Sequence, residues 1–135
     1  MNVSNPVNKE LYYTKDHEWI DFQDSFAYVG VSNFKLIGFQ EIQQIVIHKI
    51  SGFMKKGQVI ATIKYKEYQI VAHMPVDGTI LKVNYILRFG NKNILKKYAE
   101  TKGWIALIAP TNPEERIDLV KIKKYQINVA NKSYD

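Results

Sequence analysis

The sequence predicts a mainly β fold, a small sandwich or barrel, on three observations. Short apolar, β-branched or aromatic segments recur at a spacing of about 8–12 residues, as they do in compact all-β domains. Gly, Pro, Asp, Asn and Ser punctuate those segments at turn positions. Gly57-Gln-Val-Ile and Gly78-Thr-Ile-Leu, 21 residues apart, look alike and read as two similar half-motifs. The chain has 135 residues, 46% of them hydrophobic, which fits one domain with an ordinary core. Two tryptophans, nine tyrosines and six phenylalanines are too many for a disordered chain.

Leu11-Tyr12-Tyr13 leads into the polar Lys15-Asp16-His17-Glu18. Trp19 to Phe22 and Phe26 to Val31, joined by the turn signal Gln23-Asp24-Ser25, read as a hairpin. Ser32 is a good N-cap for a short helix over Asn33 to Gly38. Glu41 to Ile50 alternates and is β-branched, so a strand is expected there. Lys56-Gly57 is a turn feeding a strand through Ile63, and Tyr68 to Met74 is the next strand. Pro75-Val76-Asp77-Gly78 turns the chain into a further strand over Thr79 to Asn84. Residues 85–102 are polar and lysine-rich, a helical turn plus loop. Gly103 to Ile108 reads as a last core strand. Pro113-Glu114-Glu115 opens a C-terminal helix, with acids in its first turn and Ile117, Val120, Lys121 and Lys124 at helical spacing. The expected division is an N-terminal extension over residues 1–10, a single domain over 11–126 and a tail over 127–135, loose from Ala130 onward.

Composition excludes several function classes. Cysteine is absent, so there are no disulfides, thiolate metal sites or cysteine nucleophiles. His17, His48 and His73 form no closely spaced ligand pair, and no metal site is expected. No nucleophile–base pair, phosphate loop or supported carboxylate pair is visible, so an enzyme with its own catalytic residues is not expected. No apolar run approaches the ~20 residues of a spanning helix, and no membrane association is expected. Residues 1–10 read as neither a signal nor a transit peptide. The expected location is the cytoplasm, or the mitochondrial matrix for a eukaryotic source.

Net charge is +6 and unevenly spread. Residues 1–34 carry two lysines against five acids, while residues 35–102 carry twelve Lys/Arg against four. A basic middle favours an acidic partner, either a protein surface or a nucleic acid.

In order along the chain, Tyr13-Thr-Lys-Asp-His-Glu-Trp19, Val29-Gly-Val-Ser-Asn-Phe34, Lys56-Gly57, Ala61-Thr62, Pro75-Val76-x-Gly78, Val83-Asn84 and Gly103-Trp104 resemble the glycine cleavage H-protein family of the lipoyl/biotinyl carrier superfamily. Pro113-x-Glu115 and Tyr125 resemble its final helix. The resemblance covers residues 11 to about 126 and is most specific in Lys15-Asp-His-Glu-Trp19. It implies a hybrid barrel-sandwich with short helices and a C-terminal helix. It also implies a carrier: lipoate on a lysine of an exposed hairpin shuttles an aminomethyl group among the glycine cleavage components. A flexible arm on a rigid hairpin gives a high effective concentration at each partner's site.

The family's hairpin motif reads roughly Glu-Ser-Val-Lys. Its lysine lies ten residues after the glycine of Lys-Gly and eight before the proline of Pro-Val. Both counts end here at Glu67, within Lys64-Tyr65-Lys66-Glu67. A carboxylate cannot form the amide that holds lipoate, so no cofactor is expected unless Lys66 or Lys64 serves as a shifted acceptor. A shift of one residue would turn the side chain to the other face of a strand. Tyr65 and Tyr68 flank the site and could form a partner-contact patch with the lysines or pack across the strands. The basic middle and a segment between Asn84 and Gly103 one residue longer than the family pattern are further departures. His17 and Glu18, adjacent on a strand, are expected to face apart and to play structural roles. Trp19 and Trp104 are expected in the core. Three readings follow: a non-lipoylated H-protein-like interaction module, a lipoyl carrier using Lys66 or Lys64, and a nucleic-acid binder using residues 35–102.

Overall fold

A computed structural model describes residues 10–133. Apart from Glu10, the expected N-terminal extension lies outside the described residues. Ten strands are described: β1 (Tyr12–Tyr13), β2 (Glu18–Gln23), β3 (Phe26–Val31), β4 (Gln44–Ile47), β5 (Gly52–Met54), β6 (Val59–Tyr65), β7 (Tyr68–His73), β8 (Gly78–Val83), β9 (Ala106–Pro110) and β10 (Val120–Lys121). A 3-10 helix spans Asn33–Leu36, and three α-helices follow: α1 (Tyr85–Phe89), α2 (Asn93–Lys97) and α3 (Ile122–Ser133). The strands form two antiparallel sheets, one of seven in the order β10-β1-β2-β3-β9-β8-β5 and one of three in the order β4-β6-β7. This is the mainly β barrel-sandwich with a C-terminal helix that the sequence predicts.

Ile20, Val29, Val31, Ile80 and Ile108 from the large sheet meet Ile60, Ile63, Tyr65 and Ala72 from the small one in a single core cluster. Each apolar face is thereby removed from water by the other. A second, smaller cluster of Leu11, Tyr13, Trp19 and Tyr125 packs β1 and β2 under α3. Ser32 caps the 3-10 helix as expected, its Oγ accepting from Phe34 N at 3.0 Å.

Several expectations change. The strand expected over Glu41 to Ile50 shortens to β4, because Ile42 turns into the core and its amide donates to Asn93 Oδ1 at 3.0 Å. The last core strand begins at Ala106, not Gly103. The C-terminal helix does not open at Pro113. Asp118 has φ +66°, which a helix does not admit. Arg116 donates from Nη1 to Pro113 O at 2.6 Å, with its guanidinium over the Phe22 ring at 3.6 Å. Val120 and Lys121 then pair with Tyr13 and Tyr12 as a strand. The helix starts at Ile122 and runs through Ser133, over residues expected to be a tail. The two glycine half-motifs meet at their turns, where Lys56 N donates to Asp77 Oδ1 at 2.7 Å, but their strands lie in different sheets.

Candidate functional site

Strands β6 and β7 form a hairpin closed by two residues, Lys66 and Glu67, between the cross-strand pair Tyr65–Tyr68. Lys66 has φ +55°, the left-handed conformation that primed hairpin turns require at their first central position. A lysine there is strained by roughly 1 kcal/mol. Two contacts hold it: its amide donates to Gln43 Oε1 at 2.7 Å, and its ammonium lies 5.1 Å from the Tyr65 ring centroid. Residues 66 to 69 are all exposed, so the side chains of the tip are open to solvent.

The expectation that a shift from 67 to 66 turns the side chain to the other face rests on strand alternation. Both instead lie in the turn, so the alternation does not apply to them and both side chains are accessible from the tip. Lys64 is half-buried on β6 between Gln44 and Gln69. Among the described residues, neither Lys64 nor Glu67 enters an ion pair. The two tyrosines do not form one patch. Tyr65 is 5% exposed, packs near Phe39 and donates from its hydroxyl to Gln40 Oε1 at 2.9 Å, whereas Tyr68 is 60% exposed.

Below the hairpin, Glu18 is the centre of a buried polar cluster. Its Oε2 accepts from Lys35 Nζ at 2.6 Å and from the His73 amide at 3.1 Å, and lies 2.8 Å from His73 Nδ1. Its Oε1 accepts from Thr14 Oγ1 at 2.9 Å. A carboxylate buried to 2% exposure needs such partners. Asp16, Glu18 and His73 bring three potential ligand atoms within 4.8 Å of one another. The Lys35 ammonium already neutralises the central carboxylate, and a dication there would meet that ammonium. The cluster lines a cleft of about 430 Å³ together with Thr14, Lys56, Pro75 and Asp118. The Lys56 ammonium, 2.6 Å from Asp118, holds that carboxyl below the usual carboxylate range. His17 turns the other way, with φ +66°, and its Nδ1 lies 2.8 Å from the Tyr125 hydroxyl, so the expected separation of His17 from Glu18 holds. Trp19 is buried and donates from Nε1 to Ala99 O at 2.9 Å. Trp104 is half-buried against Tyr28. Sequence reasoning missed Lys35 and His73 as partners of Glu18. They lie on separate elements 17 and 55 residues away, and no local pattern joins them.

A sequence model of the family "Glycine cleavage H-protein" matches residues 11–132. The chain belongs to the glycine cleavage H-protein family. A glycine cleavage system H protein of Clostridium botulinum (strain Hall) is 31% identical over 120 residues, 89% of this chain and 91% of that protein. Glycine cleavage system H protein 4 of Aquifex aeolicus is 29% identical over 119 residues, 88% of this chain and 69% of that protein. A crystal structure of a glycine cleavage system H protein from Mycobacterium marinum superposes with a TM-score of 0.78 at 18% identity, covering 92% of this chain and 99% of that one, and shows the shared fold. As an H-protein family member the chain is a carrier or binding protein without catalytic activity of its own. Among the described residues, no helix is long and apolar enough to cross a membrane.

The family normally carries lipoate, which is joined by an amide to a lysine amine. Of the two residues at this H-protein's hairpin tip, Glu67 presents a carboxylate and does not fit that linkage. Lys66 presents an exposed amine and does.

Proposed function

We propose that this chain is a non-lipoylated H-protein homologue that acts as a protein-interaction module in the cytoplasm. The observation that carries the reading is Glu67 at the exposed tip of the β6–β7 hairpin. Family spacing from Gly57 and from Pro75 assigns the acceptor to that residue, and no amine is there. What remains is a rigid hairpin on a preformed body, suited to docking on a partner without an arm. Glycine cleavage components are the first candidates for that partner, because family relatives bear the name of that system.

A second reading is favoured by one observation. Lys66 shares the turn with Glu67, so its amine is offered from the same tip. In that reading the chain is a lipoyl carrier with an acceptor shifted by one residue.

Intact mass of the protein from its native source, with peptide mapping of residues 57–82, separates the two. The expected result is an unmodified mass in cells where another lipoyl protein is modified. A lipoyl-sized increment on Lys66 or Lys64 overturns the leading reading and establishes the second.

A further inference from the structure

Three lysines of the basic middle line one groove. It is lined by Gln40 and Glu41 of one loop, by residues of the α2 region including Lys96, Lys97 and Tyr98, and by Lys102, and its volume is about 840 Å³. Three lysines face one acid, Glu41, across this space. The nearby Glu100 is turned away: its carboxylate accepts from the Tyr13 hydroxyl at 2.5 Å and from the Asn33 amide at 2.9 Å. The groove therefore keeps an excess of positive charge, three lysines against the one carboxylate of Glu41, which attracts an anionic ligand.

The backbone that presents these charges is held in place. Asn84 caps α1 and donates from Nδ2 to Lys102 O at 3.0 Å and to Trp104 O at 2.9 Å. Gly103 N donates to Tyr98 O at 2.8 Å, and a Cβ on Gly103 would lie 2.9 Å from that same oxygen. The Asn93 side chain ties α2 to the loop through Ile42 N. Little ordering is left for a ligand to impose.

The aromatic ring in the groove tells the two kinds of anion apart. The ammonium groups of Lys97 and Lys102 lie 5.6 and 5.1 Å from the Tyr98 ring centroid. Arg88 covers the exposed Phe89 in the same way at 4.8 Å. Single-stranded nucleic acid is held by bases stacked on open aromatic faces. Here cations already occupy those positions, and a base would have to displace them. Carboxylates meet the ammonium groups directly, without that displacement.

We infer that this groove binds an acidic peptide segment of a partner protein. The inference rests on the docking role proposed above and names its surface. The groove is continuous with the hairpin. Gln40, which lines it, accepts from the Tyr65 hydroxyl, and Gln43, in the same loop, accepts from the Lys66 amide. A segment seated between the loop and α2 runs towards the Lys66-Glu67 tip, so hairpin and groove form one docking face.

The test is fluorescence anisotropy on the full chain with two labelled probes of equal length, a Glu/Asp-rich decapeptide and decauridylate. Each is titrated with the wild type, with a triple variant Lys96→Glu, Lys97→Glu, Lys102→Glu, and with a control Lys123→Glu, Lys124→Glu on exposed positions of α3. Melting temperature confirms that both variants fold. The expected result is peptide binding that weakens at least 10-fold in the groove variant and less than 3-fold in the control. Three results overturn the inference: no peptide binding by the wild type, equal loss in both variants, or tighter binding of decauridylate than of peptide. The mass measurement above reads the hairpin independently. An unmodified chain that fails the peptide test keeps the non-lipoylated reading and loses this surface. A lipoylated chain that passes keeps the surface and loses that reading.

Discussion

Tyr13 and Tyr125 lie face to face, ring centroids 3.9 Å apart and planes within 7°. Their hydroxyls leave in different directions. Tyr13 donates to Glu100, and Tyr125 donates to Ser32 Oγ at 2.7 Å beside His17. Burial first, then the hydrogen bond and charge of Glu100, push the Tyr13 phenol far above its ordinary value of 10.0. Burial also raises Tyr125, against a lowering by Ser32. Below pH 10 folded and unfolded chains both hold these protons, and the stability they contribute is fully present. As pH rises past 10 the unfolded chain releases them first, so stability falls. Urea midpoints measured between about pH 9 and 11 should drop steadily in the wild type, with a smaller drop in Tyr13→Phe. An equal drop in both would remove Tyr13 from this role. Residue pairings of this kind were the least legible part of the sequence. Tyr13 and Glu100 are 87 residues apart, and Glu18 meets His73 across 55. Only the fold creates such neighbours. What the sequence does show is the hairpin tip, because Gly57 and Pro75 flank it at fixed distances just outside the two consecutive strands β6 and β7.

The elements themselves were better marked. Strands β2, β3, β6, β7 and β8 follow from apolar runs bounded by turn residues, and each lies within two or three residues of its expected place. The C-terminal helix was misplaced, because a proline followed by two acids resembles a helix start. That local signal yields to the contacts of Arg116 and to the pairing of β10 with β1. The β2–β3 hairpin shows how closely two strands can depend on one small residue. Gly30 lies opposite Trp19, and a Cβ at residue 30 would approach the indole to 2.7 Å. The same edge of the Trp19 ring is fixed by its Nε1 bond to Ala99 O. Gly30→Ala should therefore destabilise the protein by about 2 kcal/mol through overpacking. Urea unfolding measures this, and a change below about 0.5 kcal/mol would mean that the indole moves freely.

At the scale of the whole molecule, the two hydrophobic clusters divide the structure unequally. The larger joins the two sheets, and the smaller fastens α3 over β1 and β2. Among the described residues, Tyr125 is the only one of α3 in the buried part of the smaller cluster. Tyr125→Ala should cost about 3 kcal/mol. Amide exchange should speed up in β1, β10 and α3 while β6 and β7 stay protected, because local opening follows the clusters. Uniform acceleration would show instead that the molecule opens as one unit. Fold class was legible because strand period and turn chemistry act locally. The order of strands in the sheets was not, since it depends on closures between distant segments. One of these, the pairing of β1 with β10, also sets a timetable. As the chain leaves the ribosome, the β2–β3 and β6–β7 hairpins can close soon after they emerge. The strand just ahead of them must wait for its second neighbour until about a hundred more residues have been made. Until then Tyr12 and Tyr13 border an open edge, and the nascent sheet keeps an unfinished side that closes when Val120 and Lys121 arrive.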